Sequence, residues 1–247
     1  MSAQTTWFFD WFNSPYYHQL YFKRDEEEAA AFIHRLLQHL HPAPDSKMLD
    51  VACGKGRHSR ILANEGFDVT GIDISPESIQ FAQTTADNHL NFLVHDMRMP
   101  FFINYFDFAF NFFTSFGYFN TDREHSNAIR SIAQSLKQGG VFVIDYLNSH
   151  YIQKHLVPSE TKVIEGVKYE ISRWTDDRFF YKKITIHDAQ LETPLSHIEK
   201  VAKFSKEGFA QLFEKHHLAI KECFGNYDLS SFDLESSPRL ILIAEKK

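Results

Sequence analysis

The sequence predicts an α/β fold: a doubly wound, mostly parallel sheet with a small antiparallel β insertion after the fifth strand. Three observations carry this. Between residues 46 and 148, five short apolar runs alternate with helix-patterned segments, the rhythm of βαβ units. The first run, Met48 to Ala52, breaks into Gly54-Lys55-Gly56 and then regains helical character. Residues 163–204 instead carry period-two alternation without helix signals, as an antiparallel sheet requires.

The elements follow in order. Residues 6–23 are aromatic and polar together, with Trp7, Trp11, Tyr17 and Tyr21 among them, too apolar for a disordered tail. Asp25 and three glutamates open a helix at its positive end, and Phe32, Ile33, Leu36, Leu37 and Leu40 form its apolar stripe before Pro42 and Pro44 end it. After the glycine turn a helix runs to Gly66, and a second strand runs from Phe67 to Asp73. Ser75-Pro76 supplies an N-cap and a first-turn proline for a helix to about Ala86. A third strand, Leu90 to His95, precedes Asp96, and a fourth, Phe106 to Phe112, is strongly aromatic. Thr121-Asp-Arg-Glu124 has the spacing of a capping box, opening a helix expected to stop at Gly139-Gly140, with a fifth strand from Val141 to Tyr146. In the insertion, runs at 163–174, 178–187 and 195–204 predict three strands, the first two joined at Asp176-Asp177. Ser205 caps a further helix, and strands near 218–224 and 239–244 finish the chain. Four segments result: an aromatic N-terminal segment and first helix (1–45), the alternating α/β core (46–150), the β insertion (151–204), and a helix and strand pair that complete the core sheet (205–247).

Hydrophobic residues make up 43% and charged residues 23%, ordinary for a globular chain. Its 25 Phe and 10 Tyr suffice for a large core with an aromatic-lined cavity. The net charge of −6 and the lack of a Lys/Arg-rich run argue against nucleic acid as partner. Two distant cysteines form neither metal spacing nor a disulfide framework, and histidine pairs such as His216/His217 have no ligand set around them, so no metal is expected. No apolar run approaches the ~18 residues that span a bilayer, and the first residues lack a signal-peptide pattern. A cytoplasmic monomer or homodimer without membrane contact is the expectation.

Polar residues fall where the chemistry of such sheets lies. Gly54, Gly56, Asp73, Asp96, Asn111 and Asp145 sit at or just past the C-terminal ends of successive strands, the ligand-binding edge of an open α/β sheet. Glycine at 54 and 56 lets the backbone turn and approach a ligand without a Cβ in the way. Asp73 can accept both hydroxyls of a ribose over that turn. Asp96 can accept from an exocyclic amine, with Met97 giving an apolar face to a base. As a dinucleotide fingerprint the turn is incomplete, because its third small position is Ser59 and an acid, Asp50, lies inside the first strand. An NAD site is the runner-up.

Together, Asp50-x-Ala52-Cys53-Gly54-x-Gly56, Gly71-Ile-Asp73 and His95-Asp96-Met97 resemble the class I S-adenosylmethionine-dependent methyltransferases. Phe106-Asp-Phe-Ala-Phe110 and Leu136-Lys-Gln-Gly-Gly-Val-Phe142 are similar to that family's fourth motif and the lead-in to its fifth strand. The resemblance spans roughly residues 46–148 and implies a Rossmann-like, seven-stranded sheet. It implies that the turn Ala52, Cys53, Gly54 and Gly56 passes the methionine moiety of S-adenosyl-L-methionine, supported by Asp50. Asp73 with Ile74 would hold the ribose, Asp96 and Met97 the adenine, and Asn111 and Phe112 would border the methyl-sulfonium. Tyr17, Tyr21 and Arg24 could close over the cofactor.

The implied activity is methyl transfer to the N or O of a small molecule. A base matters only for an acceptor that must lose a proton; candidates at the edge are Tyr118, Asp145, Tyr146 and His150, with His95 behind them. Cys53 reads as packing in the turn rather than as a nucleophile. Strand four continues Asn111-Phe-Phe-Thr, without the Asn/Asp-Pro-Pro-Tyr of adenine and glutamine amino-methyltransferases. Trp174, Phe179, Phe180 and Tyr181 let the insertion line an aromatic pocket or form a dimer surface. A catalytically idle S-adenosylmethionine- or nucleotide-binding module is the alternative from another class.

Overall fold

The computed structural model describes residues 7–21 and 26–247; Arg24 lies outside them. A seven-stranded sheet forms the centre, in the order β10-β11-β5-β4-β1-β2-β3. Its parallel part is β1 (Lys47–Val51), β2 (Asp68–Asp73), β3 (Leu90–Val94), β4 (Phe106–Asn111) and β5 (Leu136–Leu147). β11 (Arg239–Lys246) pairs antiparallel with β5 and with β10 (Leu218–Phe224). β1 sits between β4 and β2, its residues from Met48 to Val51 all buried. Burial on both faces is why such strands read as continuous apolar runs.

Each face carries its own core. Helices α3 (Glu26–Leu40), α4 (Arg57–Asn64) and α5 (Pro76–Gln83) cover one face, where Phe32, Leu36, Met48, Leu62, Phe92 and Val143 pack together. α6 (Asp122–Ser135) and α8 (Lys206–Glu214) cover the other with Ile129, Ile132, Phe142, Phe209 and Phe213. The capping box forms as expected: Thr121 accepts from the Glu124 N–H and the Glu124 carboxylate accepts from the Thr121 N–H.

Two boundaries differ from expectation. α6 stops at Ser135, and β5 begins at Leu136, five residues before Val141. Leu136 is buried and extended, paired with Phe106, while the next pair is Phe108 with Val141. The strand therefore starts, loops out through Gly139 (φ 74°), and resumes. The run 163–174 is likewise two strands, β6 (Ser159–Ile164) and β7 (Val167–Thr175). Between them Glu165 and Gly166 have φ of 50° and 85°, the paired left-handed geometry of a tight hairpin. With β8 (Phe179–His187) and β9 (Leu195–Ala202) they form a four-stranded antiparallel sheet rather than three strands. A short helix, α7 (Ser149–Lys154), capped by the Asn148 side chain, leads into it.

The N-terminal helices α1 (Trp7–Phe12) and α2 (Pro15–Tyr21) pack against this second sheet. Trp11 is fully buried among Val167, Tyr169, Ile171, Ile184 and Ile186. Its indole N–H donates to Glu199 Oε1 at 2.8 Å, and the Tyr21 hydroxyl donates to the same oxygen at 2.6 Å. Cover and insertion, separate segments in sequence, thus share one small core.

Candidate functional site

The end of β1 is where the backbone departs most from ordinary conformations. Ala52, Gly54 and Gly56 all have positive φ, 61°, 55° and 78°. The two glycines serve different ends. A Cβ on Gly56 would lie 2.6 Å from the Phe92 ring on β3, so this glycine lets α4 settle on the sheet. A Cβ on Gly54 would meet nothing within 4 Å; here the turn faces open space at the sheet edge. Close approach to a ligand, expected of both, is therefore open to Gly54, and packing explains Gly56.

Acids brace this turn. Asp50, buried within β1, accepts from the Ser59 hydroxyl at 2.6 Å. Burial raises its carboxyl to about 7, the Ser59 hydrogen bond opposing and the nearby Asp73 adding. Ser59, the residue that breaks the dinucleotide fingerprint, is thus the strap between α4 and β1. Asp73 ends β2, with Oδ2 accepting from the Gly54 N–H at 2.9 Å and Oδ1 from the Ser75 N–H at 2.8 Å. Burial lifts its carboxyl above the usual range, against those hydrogen bonds. Ile74, beside it, packs against the α6-side core. Cys53 is buried against Gly71 and its thiol is pushed well up by burial, which makes it a packing residue.

At the next strand end Asp96 is gripped by Arg98, whose Nε and Nη2 donate to its Oδ2 at 3.0 and 2.6 Å and whose backbone N–H donates to Oδ1 at 2.9 Å. Burial pulls the Asp96 carboxyl up, but the Arg98 bonds outweigh it and leave it below the usual range. The same guanidinium bridges to Glu124 at 2.5 Å and lies over Phe8 and Phe119. Met97 packs partly buried against the core. Asn111, at the end of β4, donates from Nδ2 to the Val51 carbonyl at 3.0 Å, while its buried Oδ1 has no partner. Phe112 is buried between Phe110 and His58, so its ring belongs to the α3-side core rather than to the open edge.

Beyond it, Phe113 and Thr114 have φ of 55° and 59°, each costing about 1–3 kcal/mol. Both are held by Asp145, whose Oδ2 accepts from the Phe113 N–H at 2.8 Å and whose backbone carbonyl accepts from the Thr114 N–H at 3.0 Å. Asp145 is fully buried, with Arg239 Nε at 2.7 Å and the Tyr227 hydroxyl at 3.2 Å. Tyr146 is also fully buried; its hydroxyl donates to the Ala202 carbonyl at 2.6 Å and ties the insertion to β5. Neither is placed to take a proton from an acceptor, which corrects two of the base candidates on geometric grounds. His150 sits on α7, its Nε2 2.8 Å from Glu235. His95 contacts the Met99 carbonyl at 3.1 Å. Tyr118 is the candidate at the cover, its ring edge-on to Phe12 at 5.3 Å.

The cover reaches the edge through residues other than those expected. Tyr21 is engaged with Glu199 and Lys182 of the insertion, and Tyr17 packs among Trp11, Phe12 and Tyr21. Asn13 instead accepts from the Ser75 hydroxyl at 2.6 Å, beside Asp73. His18 has a buried Nε2 without a partner, and burial, with Lys55 adding, keeps its imidazole below the usual range. Asn13, His18, Arg98, Tyr227 and Arg239 carried no motif; only the two-residue spacing of Asp96 and Arg98 could have flagged one of them.

Residues 48–140 match the family described as "Methyltransferase domain". The chain is 36% identical over 109 residues to "Putative methyltransferase YqeM" of Bacillus subtilis (strain 168), covering 43% of this chain and 44% of that protein. It is 30% identical over 151 residues to a glycine N-methyltransferase of Rattus norvegicus, covering 54% and 51%. The chain thus spans about half the length of the curated relatives it matches. A solved S-adenosylmethionine-dependent methyltransferase from Clostridium acetobutylicum ATCC 824 superposes with a TM-score of 0.78 over 94% of this chain and 96% of that one, at 16% identity, which bears on fold alone. No helix among the described residues is long and apolar enough to cross a membrane. Strand order, the turn at Gly54 and the matched domain agree: residues 48–140 carry a methyltransferase domain, within a fold shared with solved S-adenosylmethionine-dependent methyltransferases.

Proposed function

We propose that this protein is an S-adenosylmethionine-dependent methyltransferase that alkylates a small-molecule acceptor by in-line displacement, and that the acceptor atom is an amine nitrogen. One observation carries the cofactor assignment: the open space over Gly54 lies at the end of β1, between β2, which ends at the Asp73 carboxylate, and β4, which ends at Asn111 with its buried, unpartnered Oδ1. A buried acceptor without a donor is costly, and a ligand ammonium is the chemistry that satisfies it. S-adenosyl-L-methionine, when bound, supplies an electrophilic methyl group. Asp73 would hold the ribose hydroxyls, its oxygens aimed by Gly54 and Ser75. Asp96, oriented by Arg98, would take the exocyclic amine, with Met97 against the base, while Asp50 braces the turn through Ser59.

The protein's work is alignment and exclusion of water, worth ~7–11 kcal/mol when the geometry is right. An amine reacts through its own lone pair, so the site need only hold it neutral and in line. The glycine N-methyltransferase likeness supports nitrogen over oxygen, and Tyr118 is the residue we assign to the acceptor. The acidic balance and apolar cover favour a soluble metabolite in the cytoplasm over nucleic acid or lipid. Thermal denaturation tests the cofactor: S-adenosylhomocysteine should stabilise the protein, NAD should not, and Asp73→Ala should abolish the shift. A shift with NAD and none with S-adenosylhomocysteine would sink the reading.

A further inference from the structure

We infer that Asp145 is a positioning residue: with Arg239 and Tyr227 it holds Phe113 and Thr114 in the left-handed corner that ends β4, and so sets one wall of the transfer site. This rests on the reading of the strand edge as the cofactor site. Nine non-glycine residues among those described have positive φ, and Phe113 and Thr114 are the one consecutive pair. Thr is β-branched, for which this region is a genuine outlier. Such a corner persists only where its surroundings over-determine it.

Asp145 does so from both of its ends. Its side chain takes the Phe113 N–H and its main-chain carbonyl takes the Thr114 N–H, at 2.8 and 3.0 Å. Arg239 closes the ring, with Nε on Asp145 Oδ1 at 2.7 Å and Nη2 on the Thr114 hydroxyl at 2.9 Å. The Tyr227 hydroxyl adds a donor to Oδ2 at 3.2 Å, and its ring lies under the Arg239 guanidinium. Three elements distant in sequence, β5, β11 and the loop after β10, thus meet on one dipeptide. The corner lies two residues beyond Asn111, and the Phe113 ring stacks on His58 at the start of α4, 5.0 Å between centroids. A shift of the corner therefore moves both the end of β4 and the helix that follows the glycine turn.

Calorimetric titration of S-adenosylhomocysteine into the intact chain tests this. Asp145→Asn should weaken binding at least tenfold, because the amide turns an N–H toward Arg239 and removes the charge that holds the corner. Thr114→Gly in the same chain should restore at least threefold of the loss, since glycine takes a positive φ unaided. A merely structural ion pair, or a carboxylate acting as a base, gives no such rescue. Asp145→Asn within twofold of the unmodified protein overturns the inference. If Asp145→Asn does not fold, Tyr227→Phe decides: a threefold or greater loss recovered by Thr114→Gly supports the role, and a loss untouched by it, or no loss, refutes it. An unmodified protein that does not bind S-adenosylhomocysteine refutes the cofactor site itself, a result distinct from binding that ignores residue 145.

Discussion

At the scale of single residues, the two glycines of the turn make opposite predictions. Gly56→Ala drives a Cβ into the Phe92 ring at 2.6 Å, an overpacking defect of about 1–3 kcal/mol on top of the cost of its positive φ. Gly54→Ala meets no atom and should cost only its backbone strain at φ 55°, about 1–2 kcal/mol, yet it should lose S-adenosylhomocysteine because the methyl group fills the cradle. Denaturant melts with and without that ligand separate the two; a Gly54→Ala protein that binds normally would show the turn does not face the ligand. Asp50 makes a prediction in pH. Its folded carboxyl sits at about 7, above its ordinary value of 3.8, so between those limits the folded state binds the extra proton. Stability from this group is therefore present below about pH 4 and lost as pH rises toward 7. Asp50→Asn, neutral throughout, should be the more stable protein at pH 8, by an amount on the order of 4 kcal/mol at most, and its melting temperature should lose that slope. Parallel slopes for the two proteins would mean Asp50 is ionised throughout.

At the scale of elements, the strands of the parallel sheet were legible because burial turns them into apolar runs, on both faces in β1 and β2, and because Gly54, Asp73, Asp96, Asn111 and Asn148 stand at or just past their ends. The helix starts at Ser75 and Thr121 were legible because a cap is local chemistry. The β6–β7 turn was not: Glu165-Gly166 sits inside an alternating run without breaking its period, so two strands read as one. The start of β5 was misplaced because Gly139-Gly140 resembles a helix stop, while the residue that ends α6, Leu136, is chosen by its pairing with Phe106. The union of α1–α2 with the insertion was invisible for a different reason. Trp11 and Glu199 are 188 positions apart, and nothing local in either marks the other. Glu199→Ala leaves two buried donors, Trp11 Nε1 and the Tyr21 hydroxyl, without their acceptor, at about 1–3 kcal/mol each. That loss should appear in hydrogen exchange as faster opening of α1–α2 and β6–β9 together, with the β1–β5 amides unchanged. Exchange that accelerates across the central sheet as well would show cover and core to be one cooperative unit.

At the scale of the whole molecule, strand order and the chemistry of the edge agree because the same strand ends carry both. The acids proposed to hold a ribose and a base, Asp73 and Asp96, stand at or just past those ends in the structure as in the sequence. The network that holds the corner after β4 could not be read there, since Arg239 and Asp145 lie 94 positions apart. What assembles only in three dimensions is the enclosure. The turn before α2 brings Asn13 to the edge at Ser75 and α2 brings His18 within the field of Lys55 and Glu77, while Tyr146 and Gly117 pin the end of β9 through Ala202. The ligand would therefore be roofed by a body whose own core, around Trp11, is separate from the central sheet. At about 100 times its dissociation constant a ligand stabilises the protein by about 2.7 kcal/mol, or about 5–10 °C in melting temperature for a chain of this size. Trp11→Ala should undock the roof, at about 3–5 kcal/mol of local packing, while the parallel sheet stays folded. If the roof encloses the site, S-adenosylhomocysteine should then leave faster, at least tenfold in stopped-flow displacement, with an association rate unchanged or raised. Weaker binding would follow from dissociation, the usual seat of affinity differences. An unchanged dissociation rate in Trp11→Ala would place the roof away from the ligand and leave the edge open to solvent.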